Sequence, residues 1–312
     1  MERSWNLRLL EPARWRCVRH LTGDASQRRY SRCTDVAGRT AVLVNYPPSI
    51  RAELRRDLEV LEWCRRHEIR VPITEGYDLD HGLALVEDLG ETDAETALET
   101  ASATVREDLL QRMLQPLAAL ADIDPERLPA WNPPLDRARL RWELAGFELW
   151  FVRHHRSRSP AAAVGRWLDG LADEVAGHPR RVCHRDYHLN NLLVPDDGPV
   201  AVIDAQDILV GPDTYDAVSL AFERAAVRLL SVRDRRRLLA EWARATAAAP
   251  GWDQRAESVR MQRGLKVLGN FARFVVSGRH EYASWMKDLA VRLTPRLEAA
   301  GAPPEMAAFL LD

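Results

Sequence analysis

The chain has 312 residues, 46% of them hydrophobic, and a formal net charge of −2. That length suits one bilobal unit or two domains, and the near-neutral balance argues against nucleic acid or a membrane surface as partner. No apolar run is long enough to span a bilayer and Met1 to Trp5 open no signal peptide, so a cytoplasmic protein is expected.

Residues 15–90 read as a strand-rich unit with one helix. Short strands are expected at 17–21 and 29–33, flanking the polar turn 22–26, and an apolar strand at 40–44. Ser49 can cap a helix carrying Leu54, Leu58, Leu61 and Trp63 at helical spacing. Strands at 73–77 and 83–86 follow, separated by the turn Asp80, His81, Gly82. From residue 91 the pattern is mostly helical, with periodic segments at 109–123, 140–155, 161–176, 216–230, 233–249, 254–277 and 282–297. Cys17, Cys33, Cys64 and Cys183 are scattered without C-x-x-C spacing, which suits neither zinc nor a disulfide framework; reduced, buried thiols are expected.

One hairpin interrupts the helices. Leu192 to Val194 and Val200 to Ile203 are strand-like runs around a Pro, Asp and Gly turn cluster. Just before it, His184, Asp186 and Asn191 read as H-x-D-x-x-x-x-N, and Asp204 closes the second strand. The hairpin folds Asp204 back beside Asn191. Phosphoryl transfer needs a base to orient the attacking hydroxyl and oxygen ligands for Mg²⁺. Asp186 supplies the base, and Asn191 and Asp204 the ligands. Three strands, a helix, two strands and then helices match the order of a protein kinase. The expected fold is α+β and bilobal, a small β-rich nucleotide-binding lobe over 1–90 and a large helical catalytic and substrate lobe over 91–312. Glu87 and Leu89 would offer backbone groups to an adenine edge, although an ordinary turn reads the same way.

These blocks resemble the aminoglycoside phosphotransferase and choline kinase superfamily. Within it the chain looks most like the bacterial kinases that phosphorylate C1 of N-acetylmuramate and N-acetylglucosamine in cell-wall recycling. The similarity runs through 23–30, 85–90, 184–193, 202–207, 211–216 and 265–273. It implies ATP and Mg²⁺ as cofactors, a small-molecule sugar as partner, and nucleotide phosphates under Gly23, Asp24 and Ser26. Asp207 would be a second carboxylate near the metal or only a turn residue. Asp216 is explained equally by a role in the site and by a helix cap.

The chain departs from protein kinases in having no lysine on the third strand, where Asn45 stands; its lysines are Lys266 and Lys287. Arg28 or Arg29 would replace it, or Mg²⁺ and backbone amides would suffice. For the acceptor, Glu143 and Glu148 offer carboxylates, His188 lies in the catalytic loop, and Arg185 could orient that loop or bind a carboxylate of N-acetylmuramate. Phe147, Phe151 and Trp150 could face a pyranose or fill a helical core. The competing functions are a kinase of an aminoglycoside or amino alcohol, and a nucleotide-binding pseudokinase.

Overall fold

The structure is a computed structural model that describes residues 15–21, 27–195 and 198–311. The chain forms two compact units, one of Met1–Leu120 with Leu189–Ile208, the other of Ala121–His188 with Leu209–Asp312. The first unit therefore reaches past residue 90 and takes in the hairpin as well.

In the first unit, β1 (Trp15–Leu21), β2 (Arg29–Asp35), β3 (Thr40–Asn45), β4 (Thr74–Asp78) and β5 (Leu83–Glu87) form one antiparallel sheet in the order β1-β2-β3-β5-β4. The helix α1 (Glu53–Arg66) lies between β3 and β4 in the chain. The register sets Val44 opposite Ala84 and Val42 opposite Val86. Val44, Ala84 and Val86 then pack with Tyr46 and Leu54 as the local core, the period-2 pattern meeting the period-3.6 stripe of the helix. That stripe holds Leu54, Val60, Trp63 and Cys64, but also the acid Asp57. A carboxylate on a buried stripe must be paired, and its partners are given below. Ser49 does not cap α1: the N-cap is Ala52, and Ser49 Oγ donates to Gln27 Oε1 at 3.1 Å instead.

Cys17 and Cys33 are cross-strand partners and form a disulfide, which corrects the expectation of reduced thiols for this pair. Antiparallel pairing brings together two cysteines that look scattered along the chain. Cys64 and Cys183 are free and buried.

Helices α2 (Ala94–Thr100) and α3 (Ala103–Asp122) follow. The hairpin pairs Leu192–Leu193 with Ala201–Val202 and is stitched into the first unit by its backbone. Val194 N–H donates to Thr92 C=O at 2.8 Å and Val202 N–H to Arg70 C=O at 2.7 Å.

The second unit is mainly helical: α4 (Arg137–Gly146), α5 (Ala162–Ala176), α6 (Tyr215–Phe222), α7 (Arg224–Leu229), α8 (Val232–Ala245), α9 (Trp252–Val276), α10 (Ala283–Ala299) and α11 (Pro304–Leu311). The continuous helix expected over 216–230 breaks at Glu223, whose ψ of 159° is extended. The segment Phe147–His155 continues α4 as a π-helix, a form that recurs near functional sites. Here α9 comes very close: a Cβ on Gly269 would lie 2.6 Å from the Gly146 carbonyl carbon. Phe147 and Phe151 are fully buried with Leu168, Leu265 and Leu268, so these aromatics are core. A short strand β6 (Arg180–Cys183) pairs antiparallel with Leu209–Pro212, which the sequence reading did not foresee. Among the described residues no helix is long and apolar enough to cross a membrane.

Candidate active site

In the second unit β6 delivers the chain into loop 184–188. Asp216, buried on the first turn of α6, takes both leading amides of that loop: His184 N–H donates to its Oδ2 at 2.5 Å and Arg185 N–H to its Oδ1 at 2.9 Å. The cap reading of Asp216 falls away, because Thr214 is the cap position of α6. Arg185 holds φ at 79°, a left-handed conformation that costs a non-glycine residue about 1–3 kcal/mol. Arg263 offsets this from the other side, donating from Nη1 to the Arg185 carbonyl at 2.8 Å and from Nη2 to Ser219 Oγ at 2.8 Å. The backbone leading into Asp186 is thus clamped by a buried carboxylate and a buried guanidinium.

Asp186 is half-buried. Burial alone would raise its pKa, but Lys266, Arg263, Arg185 and His188 outweigh it and bring the carboxyl down to about 2. Its charge is therefore fixed at neutral pH. Sharing Lys266 and Arg185 with it, Glu143 is almost sealed, its side chain 2% exposed, and it collects Lys266 Nζ at 3.3 Å, Arg185 Nη2 at 3.3 Å and Gln262 Nε2 at 3.0 Å. Burial opposes that charge as well, yet Lys266, Gln262 and Arg185 hold Glu143 below the ordinary carboxylate range. Lys266 Nζ also donates to the Tyr215 hydroxyl at 3.3 Å. Burial keeps His188 below its ordinary value against the pull of Glu223 and Asp186.

In the first unit the partners of Asp57 appear. Arg28, its side chain 13% exposed, places Nη1 3.4 Å from Asp57 Oδ2 and Nη2 3.5 Å from Asp204 Oδ1. Tyr46 hydroxyl donates to Asp57 Oδ2 at 3.0 Å, and Gln206 Nε2 to Asp204 Oδ1 at 2.8 Å. Burial works against the Arg28 charge, but Tyr30, Tyr46, Asp57 and Asp204 lift its pKa above the ordinary value. Asp204, like Arg185, has a left-handed backbone, φ 64°. Ile203 N–H donates to Asn191 C=O at 3.0 Å, so the hairpin brings Asp204 beside Asn191 along the ladder. The exposed Asp204 carboxylate and the half-buried Asn191, close along this ladder, are oxygen-donor residue types that fit Mg²⁺.

A clamped carboxylate in the second unit, and in the first an amide and a carboxylate flanking a short hairpin, are residue types that phosphoryl transfer uses. The model of the phosphotransferase enzyme family matches residues 18–258. The chain belongs to that family. It is similar to the N-acetylmuramate/N-acetylglucosamine kinase of Pseudomonas aeruginosa, 32% identical over 81% of this chain and 75% of the relative. The enzyme of the same name from Pseudomonas putida is 29% identical over 92% of this chain and 84% of its own length. A solved macrolide 2'-phosphotransferase type I superposes with a TM-score of 0.62 at 17% identity, covering 87% of this chain and 91% of that one. Its likeness carries the α+β, kinase-like fold.

The remaining expected site residues of this phosphotransferase are dispersed. Glu148 is held by Arg141, Nη1 to Oε2 at 2.8 Å, rather than by the cluster around Glu143. Glu87 pairs with Arg70 at 2.7 Å, and its backbone N–H donates to Ile73 C=O at 2.8 Å. Leu89 is buried, and Asp207 is half-buried on a 3₁₀ turn after Asp204. Gly23, Asp24 and Ser26 lie outside the described residues. The sequence reading passed over Lys266, Arg263, Asp57 and Tyr46 as site residues. Lys266 carried a usable signal: one of two lysines in an arginine-rich chain, in the middle of a helix.

Proposed function

We propose that this phosphotransferase transfers the γ-phosphoryl group of ATP, with Mg²⁺, to the anomeric hydroxyl of an amino sugar. The acceptor is N-acetylmuramate, N-acetylglucosamine or both, and the setting is peptidoglycan recycling in the cytoplasm. The observation that carries the reading is Asp186, a carboxylate kept ionised by Lys266, Arg263 and Arg185. The names of the two Pseudomonas relatives supply the acceptor.

Asp186 accepts the sugar hydroxyl's hydrogen bond, orients it for in-line attack and takes its proton as the phosphoryl group arrives. Asn191 and Asp204 would hold Mg²⁺, which when bound neutralises charge on the nucleotide phosphates. Arg28, braced by Asp57, takes the place of the missing strand lysine and meets the phosphates beside Asp204, with Gly23, Asp24 and Ser26 as the covering loop. The Glu87 carbonyl and the Leu89 amide face the adenine edge, since the Glu87 N–H is already committed to Ile73. Arg185 and His188 border the acceptor, with Glu143 behind them, and Asp207 lies near the metal.

A cationic aminoglycoside or amino alcohol calls for acceptor carboxylates in surplus, whereas Glu143 is met by both Lys266 and Arg185. A pseudokinase has no need of Asp186, Asn191 and Asp204 together. The test is ³¹P NMR of the product from ATP, Mg²⁺ and a panel of N-acetylmuramate, N-acetylglucosamine, glucose, an aminoglycoside and choline. An anomeric phosphate on an amino sugar is expected. Phosphate on another hydroxyl, or on choline, would overturn the assignment.

A further inference from the structure

Within the second unit, α6, α7, α9 and α10 enclose a cleft whose charged lining is Arg224, Arg260, Arg263, Arg292 and Glu223. Four guanidinium groups therefore face one carboxylate. The arginines are fixed rather than waving: Arg260 lies 3.7 Å above the Phe222 ring and Arg224 3.8 Å above that of Trp285. Such stacking pre-orders the planar forks, although Arg260 Nη1 also lies 3.5 Å from Glu257 Oε1.

The cation excess continues behind the lining. Arg235 is 9% exposed, lies 5.7 Å from the Phe222 ring centre, and has Nε and Nη1 buried with no hydrogen-bond partner among the described residues. Burial lowers its pKa, and Arg292 and Arg296 lower it further. Arg260 is brought down to about 10 by burial and then by Arg296, with Glu257 only partly offsetting them. Crowding half-buried like charges is unfavourable unless an anion completes the set. The flat, paired donors of arginine suit a carboxylate or a phosphate.

The wall nearest the loop says where that anion would come from. Arg263 lines the cleft and also donates to the Arg185 carbonyl, and its charge acts on Asp186. Glu223 lines the cleft and its charge acts on His188. The cleft therefore adjoins the residues that would receive the acceptor. N-acetylmuramate differs from N-acetylglucosamine by a lactyl ether that ends in a carboxylate. Arg185, the earlier candidate for that carboxylate, is engaged with Glu143.

We propose that the arginine cleft between α6, α7, α9 and α10 is the subsite for a carboxylate borne by the acceptor sugar, with Arg260 and Arg292 as its ligands, so that the enzyme prefers N-acetylmuramate to N-acetylglucosamine. Val267 and Leu289, also in the lining, offer apolar contact to the lactyl methyl group. This inference rests on the amino-sugar reading above.

The experiment compares wild type, Arg260→Ala, Arg292→Ala and Arg292→Lys with both sugars under ATP and Mg²⁺. Losing a charge-assisted bond to the carboxylate should cut the ratio of kcat/KM for N-acetylmuramate over N-acetylglucosamine by roughly tenfold or more in each alanine variant, mostly through KM, with Arg292→Lys keeping part of it. A ratio within about twofold of wild type would overturn the subsite. Calorimetric titration of the same proteins with N-acetylmuramate, N-acetylglucosamine and inorganic phosphate reads the cleft without turnover. If wild type turns over neither sugar, the amino-sugar kinase reading fails. The subsite still stands if N-acetylmuramate binds wild type and loses affinity in Arg292→Ala. No N-acetylmuramate binding to wild type, or binding of phosphate alone, would sink it.

Discussion

Arg28 Nη1 lies 3.4 Å from Asp57 Oδ2, an arginine from before β2 paired with an acid on the buried stripe of α1. In protein kinases the matching pair is a lysine on the third strand and a glutamate on the helix. On the function proposed above, the charge would be kept while the element that supplies it changes. Replacing Arg28 by Met should lower kcat/KM for ATP by about 10²–10³, the usual effect of deleting one group that stabilises transferring charge. Asp57→Asn should do less, and the double variant should fall short of the sum, because the second loss acts through the first. Steady-state kinetics on the three variants check the coupling; strict additivity would separate Asp57 from the site.

Asp186→Asn keeps the shape of the side chain and removes the base. Turnover should drop to below a few per cent, while nucleotide affinity measured by calorimetry stays within about threefold of wild type. Substantial residual turnover would move the base elsewhere.

The surroundings of Asp186 also set a pH dependence. Its pKa is depressed to about 2, so the carboxylate's favourable interactions are fully present above the ordinary value of 3.8 and are lost as pH falls through about 2. No acid limb of kcat/KM from Asp186 should therefore appear between about pH 5 and pH 8. Lys266 is the strongest of the charges that lower it. Lys266→Met should raise the Asp186 pKa and move the acid limb up toward neutral pH. An unshifted profile would remove Lys266 from the electrostatics of the base.

Asp204→Ala should raise the Mg²⁺ concentration for half-maximal activity by roughly tenfold or more, as loss of one carboxylate ligand does. A Mg²⁺ titration at fixed ATP reads it directly, and an unchanged midpoint would exclude Asp204 as a ligand.

Asp216→Ala would orphan the His184 and Arg185 amides, at about 1–3 kcal/mol for each buried donor. Thermal melting should fall accordingly, and turnover should fall with it because the strained φ of Arg185 loses its clamp. Asp216→Asn retains acceptor capacity and should be milder in both.

Much of this was legible in the residues. The strands of the first unit, α1 and the hairpin follow from local periodicity and turn chemistry, which act over a few neighbours. Asp186, Asn191 and Asp204, the residues proposed for the reaction, were singled out because they share one short stretch of chain. The pairing of β6 with Leu209–Pro212, the Cys17–Cys33 disulfide and the break at Glu223 depend on partners distant in sequence. The same holds for the site: Asp57, Lys266 and Arg263 sit in helices whose pattern reads as ordinary amphipathic helix until the fold shows what they face. Glu148, singled out from its residue type alone, has a partner the pattern did not show, Arg141.

Of the chain's two lysines, Lys266 is engaged with Glu143 and Tyr215, and Lys287 is exposed on α10. Amine-directed reagents therefore have one accessible lysine to modify. Among the lysines, coupling would attach a dye or a solid support at one point on α10, close in sequence to Arg292, with the α-amine as the competing nucleophile.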